Sequence, residues 1–187
     1  MKKIILAITG ASGSLYAVEF VKLLENMDVE VHGIVSRAGE KVLSLEQRLT
    51  PAGLPGVRKW YGIDNLAAPM ASGSARYDAM VVLPCTMGTL AAIANGLSIN
   101  LIHRAADVML KERKPLVLAV RETPFNRNHL QNMLAASEAG AIICPAMPAF
   151  YHLPENLTDM ARHFAGRVAA QIGLRVAGLK EWSGIDV

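Results

Sequence analysis

Two turns of small residues carry the first chemical signal in this chain. Thr9-Gly10-Ala11-Ser12-Gly13-Ser14 joins an apolar run to a helical pattern. Glycines there let the backbone approach an anion closely, and the helix start supplies free N–H groups and a partial positive charge. Ser12 or Ser14 adds a hydroxyl donor. The spacing falls short of the G-x-G-x-x-G dinucleotide fingerprint, because Leu15 and Tyr16 stand near the place of the third glycine. That favours a mononucleotide such as FMN over NAD, although such a turn also serves plain tight packing. Pro84-Cys85-Thr86-Met87-Gly88-Thr89 is the second turn. It could offer N–H groups to an aromatic ring system or a phosphate, and it equally fits an ordinary helix start capped by Thr86.

Basic residues suggest where an anionic ligand would be held. Arg104 and Lys111 are seven apart and share a helix face. Lys111, within Lys-Glu-Arg-Lys, also fits a solvated helix end. Arg104 stands beside Ala105, Ala106 and Val108, and an arginine buried there would need an anion. Arg121-Glu122 follows the most hydrophobic strand, where ligand contact and a structural ion pair are both open. Glu46 ends a helix and fits a surface carboxylate. Tyr151 is a core residue or a phenolic donor, and Arg167 also fits a surface charge. Cys85 has no histidine near it in sequence and reads as an inert buried thiol. The five histidines show no metal-ligand spacing on one element, so no metal is expected.

These groups need a scaffold, and composition limits the choice. The chain has 187 residues, is 52% hydrophobic and carries a formal net charge of +3, which excludes collagen-like, low-complexity and disordered classes. Its apolar runs are strand-length, short of the ~20 residues of a membrane span. Two cysteines exclude a disulfide scaffold. With no secretory signal pattern, the chain reads as cytoplasmic, with Cys85 and Cys144 reduced. Scattered basic residues and few aromatics fit a small anionic ligand better than nucleic acid.

Strands are expected at Lys3–Thr9, Val29–Val35, Val57–Tyr61, Ala79–Leu83, Pro115–Val120 and Ala141–Cys144. The Ile-rich first run reads as buried on both faces, as in a parallel sheet. Helices are expected from Tyr16 to Asn26, over Ala38–Glu46, from Thr86, from Asn100 to Arg113, over Asn128–Ala139 and over Glu155–Ile172. Leu66–Ala75 and Pro145–Pro154 read as loops. The alternation implies one α/β domain over 1–187, a parallel sheet with helices on both faces. Ligands in such sheets bind beyond the carboxyl ends of the strands, so the turns after Thr9, Val35, Pro84, Val120 and Cys144 should line one cleft.

The combination of motifs resembles the UbiX-type flavin prenyltransferases, formerly described as aromatic-acid decarboxylases. The matching segments are Thr9-Gly-Ala-Ser-Gly13, Ala71-Ser-Gly-Ser74, Pro84-Cys-Thr-Met-Gly-Thr89, Arg104 to Arg113, Arg121-Glu-Thr-Pro124 and Pro148-Ala-Phe-Tyr-His152, spread over nearly the whole chain. The resemblance implies a Rossmann-like flavoprotein fold, with sites shared between subunits of a homo-oligomer, typically a dodecamer. It implies transfer of a dimethylallyl group from dimethylallyl monophosphate to N5 and C6 of reduced FMN, without magnesium. The prenylated FMN would then serve a UbiD-type decarboxylase. By this resemblance Gly10, Ala11, Ser12, Ser36, Thr86, Met87, Gly88, Thr89 and Arg121 match FMN-binding positions. Tyr151 and Arg167 match residues that hold the prenyl phosphate, and Trp182 matches an aromatic that closes the pocket. Arg104 and Lys111 match basic residues at that phosphate, and Glu46 and Glu122 match acidic residues that handle protons. Leu66 stands where some members have tryptophan, and Leu153 where a polar or basic residue is common. An FMN-dependent cysteine decarboxylase shares the fold, but that family uses a histidine after the second strand and a Pro-Ala-Ser-Ala-Asn turn. Ser36-Arg37 and Pro84-Cys-Thr-Met stand here instead. A non-catalytic flavin-binding module is the other alternative.

Overall fold

A computed structural model describes residues 1–180, Trp182 and Gly184. Its strands are β1 (Lys2–Ile8), β2 (Val29–Val35), β3 (Val57–Tyr61), β4 (Ala79–Cys85), β5 (Leu116–Val120) and β6 (Ile142–Ile143). They form a six-stranded sheet in the order β3-β2-β1-β4-β5-β6. Every pairing is parallel. The helices are α1 (Ser14–Leu24), α2 (Arg37–Gln47), α3 (Met87–Ala94), α4 (Leu101–Lys111), α5 (Arg127–Glu138) and α6 (Leu157–Gln171).

Alternation along β1 explains both layers. Ile4, Leu6 and Ile8 point into a core shared with α1 and α6, which includes Phe20, Phe164 and Val168. Ile5 and Ala7 point into the opposite core, with Leu90, Ile102 and Val108 from α3 and α4. Removing both faces from water requires the near-continuous apolar strand that the sequence shows. In β4 the alternation breaks. Met80, Val82 and Cys85 share one face, because the register to β5 shifts between Val82 and Cys85.

The expected α/β sheet is present, and the boundaries moved for identifiable reasons. α6 begins two residues later than expected because the Asn156 side chain accepts from the Asp159 amide at 2.9 Å and caps it. The expected caps Thr86 and Asn100 are in place on α3 and α4. Gly140, at φ 106°, follows α5 in the left-handed region. Leu66–Ala75 is more ordered than a plain loop, with two short 3-10 turns at Pro69–Ala71 and Gly73–Ala75. Leu66 and Leu153 are both solvent-exposed.

The start of α2 is wedged against the end of β1. A Cβ added at Gly39 would lie 2.6 Å from the Ile8 carbonyl oxygen, and one at Gly10 would lie 2.5 Å from the Ala38 Cβ. Backbone cannot swing aside as a side chain can, so Gly39→Ala should lower unfolding free energy by about 1–3 kcal/mol. Gly62→Ala is the control, since its Cβ would meet nothing within 4 Å. Urea denaturation of both variants checks this, and equal midpoints would refute the wedge.

Candidate active site

The turns at the carboxyl edge are stitched together by one threonine. Thr9, at the end of β1, is 1% exposed. Its hydroxyl donates to the Pro84 carbonyl at 2.7 Å and accepts from the Thr86 amide at 2.9 Å. The Ser36 amide donates to the Ile8 carbonyl at 3.0 Å, and the Arg121 amide to the Cys85 carbonyl at 3.1 Å. The turns after β1, β2, β4 and β5 thus lie side by side, as the carboxyl-edge rule requires.

In the first turn, Gly13 takes φ 109° and exposes successive amides. Those amides already hold an anion from the chain itself. The Glu46 carboxylate, 33 residues away, accepts from the Gly13 amide at 3.0 Å. It also accepts from the Ser14 amide at 2.8 Å and the Ser14 hydroxyl at 2.7 Å. The Gly13 amide and the Ser14 amide and hydroxyl at the start of α1 are thus engaged by Glu46. Partial burial pushes the Glu46 pKa up, but hydrogen bonds from the Ser12 and Ser14 side chains and the Ser14 and Gly13 amides outweigh it, and the net pKa is lowered.

The second turn starts α3 by the ordinary device. The Thr86 hydroxyl accepts from the Thr89 amide at 3.2 Å and donates to the Thr89 hydroxyl at 3.0 Å. Gly88 faces open space, with nothing within 4 Å of an added Cβ, so a flat group can lie against it. Cys85 is fully buried and its thiol is pushed up to about 12 by desolvation, which agrees with an inert role. Ser36 caps α2 by accepting from the Gly39 amide at 3.0 Å.

Arg121 leaves β5 beside Tyr16. Burial raises the Tyr16 pKa and the Arg121 guanidinium pulls it the other way. The Tyr16 ring lies against Gly13, 2.9 Å from an added Cβ, and meets Phe164 at a centroid distance of 4.9 Å. In the sequence, Tyr16 is only the start of the expected first helix. Its hydroxyl, one turn into the helix behind a glycine turn, was the available clue.

A cavity of about 540 Å³ lies between α6 and the segment that follows it, lined by Tyr151, His163, Arg167, Arg175, Lys180 and Trp182, among others. Arg167 lies close enough to Cys144, just past β6, to oppose the upward push of burial on that thiol. Trp182 meets Tyr151 edge-on at 5.7 Å. The Ala146 amide donates to the Val120 carbonyl at 2.8 Å, which ties this loop to the end of β5 and the Arg121 turn.

The remaining basic residues are not gathered here. The Arg104 guanidinium is 2.8 Å from Asp107 and donates to the Ala71 carbonyl at 3.0 Å. It is therefore not a buried, unpaired cation, and its side chain is 35% exposed. Lys111 pairs with Glu112. α4 runs toward the amino edge of the sheet, where β5 begins, so Lys111 lies at the opposite edge from Arg121 and Tyr151. Glu122 is exposed and accepts from the Thr123 amide at 3.0 Å. One subunit thus brings Gly10–Ser12, Ser36, Glu46, Thr86–Thr89, Arg121, Tyr151, Arg167 and Trp182 to one edge and leaves Arg104 and Lys111 apart. Among the described residues, no group of three or more histidine, cysteine, aspartate or glutamate side chains is placed to hold a metal.

Glu46 makes a pH prediction. Its folded pKa lies below its unfolded value, so its contribution to stability is present above the unfolded pKa, near 4.5, and is lost as pH falls through the folded one. Glu46→Gln should lower stability at pH 7 and converge with wild type in strong acid. Denaturant midpoints at pH 7 and below pH 4 check this. A constant difference at all pH values would show that the carboxylate charge is not what the turn binds.

The chain is similar to known proteins along nearly its whole length. A family model described as Flavoprotein matches residues 1–162. A flavin prenyltransferase UbiX from Deinococcus radiodurans is 44% identical over 181 residues, covering 96% of this chain and 93% of the relative. A UbiX protein crystallised with FMN and dimethylallyl pyrophosphate superposes with a TM-score of 0.96 at 39% identity, covering 99% of each chain. A dodecameric FMN-dependent UbiX-like decarboxylase from Escherichia coli superposes with a TM-score of 0.94 at 39% identity, covering 97% of this chain and 100% of that one. With likeness of this depth along the whole chain, and the same parallel sheet beneath it, the chain belongs to the UbiX-type flavin prenyltransferases of the Flavoprotein family.

Proposed function

We propose that the carboxyl-edge cleft seats reduced FMN beside an allylic phosphate and transfers the dimethylallyl group to flavin N5 and C6. As a UbiX-type flavin prenyltransferase, the chain is a transferase and uses FMN. The observation that carries the site assignment is the adjacency of two surfaces. Small-residue turns with Arg121 lie along β1, β4 and β5, and Arg167, which lines a cavity with Tyr151, lies close to Cys144 just past β6. Fit to a flavin rests on the open face at Gly88 and on hydroxyls and amides along these turns. Gly10, Ala11, Ser12, Ser36, Thr86, Met87, Gly88, Thr89 and Arg121 would hold it. The flavin supplies the electron-rich ring that accepts the prenyl group.

The chain supplies the rest. Arg167 and the Tyr151 hydroxyl stabilise negative charge as the phosphate departs, the task that magnesium performs in other prenyl transfers. Trp182, edge-on to Tyr151, shields the cavity from water that would trap an allylic cation as the alcohol. Glu46, within hydrogen-bond reach of Ser14 at the first turn, takes up or relays a proton released from the flavin. Glu122 on the exposed β5 turn is the second acid available. Arg104 and Lys111 complete the phosphate site of a neighbouring subunit in a homo-oligomer, a dodecamer on this reading. The donor is the monophosphate, and the product passes to a UbiD-type decarboxylase. No described helix is long and apolar enough to cross a membrane, and this reading puts the chain in the cytoplasm.

Anaerobic incubation with reduced FMN and dimethylallyl monophosphate should give a flavin heavier by one five-carbon unit, with or without EDTA. Abolition by EDTA would refute the metal-free mechanism. Tyr151→Phe and Arg167→Ala should take up FMN normally and slow the transfer by on the order of 10²–10³. Full rate in both would remove them from phosphate departure.

Subunit sharing has its own test. Lys111→Ala and Tyr151→Phe subunits are unfolded together and reassembled as mixed oligomers. The mixture should recover part of the activity that neither homo-oligomer has. No recovery, with mixing verified by native mass spectrometry, would place both residues at a site within one chain.

A further inference from the structure

Tyr151 and Arg167 share their cavity with His163. His163 lies on α6 one turn before Arg167 and is 4% exposed. Its Nε2 stands between two oxygens, 3.2 Å from the Tyr151 hydroxyl and 3.1 Å from the Lys180 carbonyl. Its Nδ1 is buried without a partner among the described residues. The ring is fixed in place by stacking on His152, at a centroid distance of 3.9 Å and 11° between planes. Lys180 closes the arrangement by donating from Nζ to the His152 carbonyl at 3.2 Å.

The proton positions follow from donor and acceptor chemistry. A carbonyl oxygen only accepts, so the Lys180 carbonyl requires a hydrogen on Nε2. The neutral ring then has a bare Nδ1, and the partnerless atom is a lone pair, not an N–H. Facing an N–H, the Tyr151 oxygen can respond only as acceptor. Its own hydrogen is therefore turned away from His163, toward the cavity that Arg167 lines. Without His163 the phenol would be free to rotate, and its hydrogen could face any nearby acceptor.

We propose that His163 is a positioning residue, which holds the Tyr151 hydroxyl as a donor to the phosphate of the substrate and links that orientation to the C-terminal segment through the Lys180 carbonyl. This rests on the reading that the cavity seats an allylic phosphate. His163 acts through Tyr151, so the two side chains should behave as one unit. Removing either should lose the same hydrogen bond, and removing both should lose nothing more.

The probe is inorganic phosphate, titrated calorimetrically into the purified protein with and without FMN. His163→Leu and Tyr151→Phe should each weaken phosphate binding on the order of ten-fold, as for a hydrogen bond to a charged group. The double variant should be no weaker than either alone. His163→Gln carries an N–H near the place of Nε2 and should keep wild-type affinity. His163→Asn carries its N–H nearer the place of Nδ1 and should weaken binding like His163→Leu. The KM for dimethylallyl monophosphate should rise in step across the series, with flavin uptake unchanged. Additive losses, equal affinities for His163→Gln and His163→Asn, or no phosphate binding by wild type would each overturn the proposal. If His163→Leu does not fold, the glutamine and asparagine pair decides. Wild-type protein that binds phosphate but never prenylates flavin would fault the functional reading alone, and the affinity cycle would still decide the role of His163.

Discussion

The Thr9 hydroxyl is the contact on which the geometry of the carboxyl edge depends. It is buried at the end of the central strand and both donates and accepts, to the Pro84 carbonyl and from the Thr86 amide. Valine has the same shape but would leave the part-buried Thr86 amide without this partner and the Pro84 carbonyl with only the residue-9 amide, at 3.3 Å, and an unmet buried polar group costs about 1–3 kcal/mol. With the hydroxyl present, β4 can shift register after Val82 and still deliver Thr86 to the start of α3. That shift turns Cys85 inward and buries its thiol, so the residue with the most reactive side chain on this edge is also the one withdrawn from chemistry.

A second constraint follows from what occupies the first turn. A glycine-rich turn at a helix start attracts an anion, and here the chain provides one in Glu46. The internal carboxylate neutralises the start of α1 and links it to the end of α2. It also engages the Gly13 and Ser14 donors of the first turn. The cations that remain open to a ligand lie further along the edge, Arg121 after β5 and Arg167 on α6 beside β6. On the proposed reading, a flavin laid across the small-residue turns and a phosphate held beside Arg167 would meet different partners, so one edge would take two anionic ligands without making them compete for the same donors.

Most of the fold was legible because the strands are buried on both faces and read as unbroken apolar runs. The bounds of β2 and the caps Thr86 and Asn100 matched outright. The 3-10 turns between Pro69 and Ala75 were missed because small residues carry no hydrophobic period. The binding turns were legible by residue type. Their partners were not, since nothing local connects Glu46 to Gly13 or Thr9 to Pro84. Tyr16 was hidden inside an amphipathic stripe. Spacing along the chain does not single out His163, whose place is defined by a tyrosine and a carbonyl that the fold brings to it.

On the proposed reading, the basic residues on α4 belong to a site divided between subunits. Arg104 and Lys111 have carboxylates beside them in sequence, Asp107 and Glu112. Such pairs are worth little on an exposed helix, but they fix where the cations point. Arg104 is fixed further by the Ala71 carbonyl, and Gly73 packs against Glu112, so Ala71-Ser-Gly-Ser74 and the basic face of α4 form one unit along the sheet. The lower end of that unit lies across the sheet from the cleft of its own subunit. A phosphate brought to it by a neighbour would find the cations already oriented and would have only to outcompete two partly exposed carboxylates. On the proposed reading, association and ligand binding would then favour each other, because the neighbour supplies donors to the phosphate that a single chain lacks.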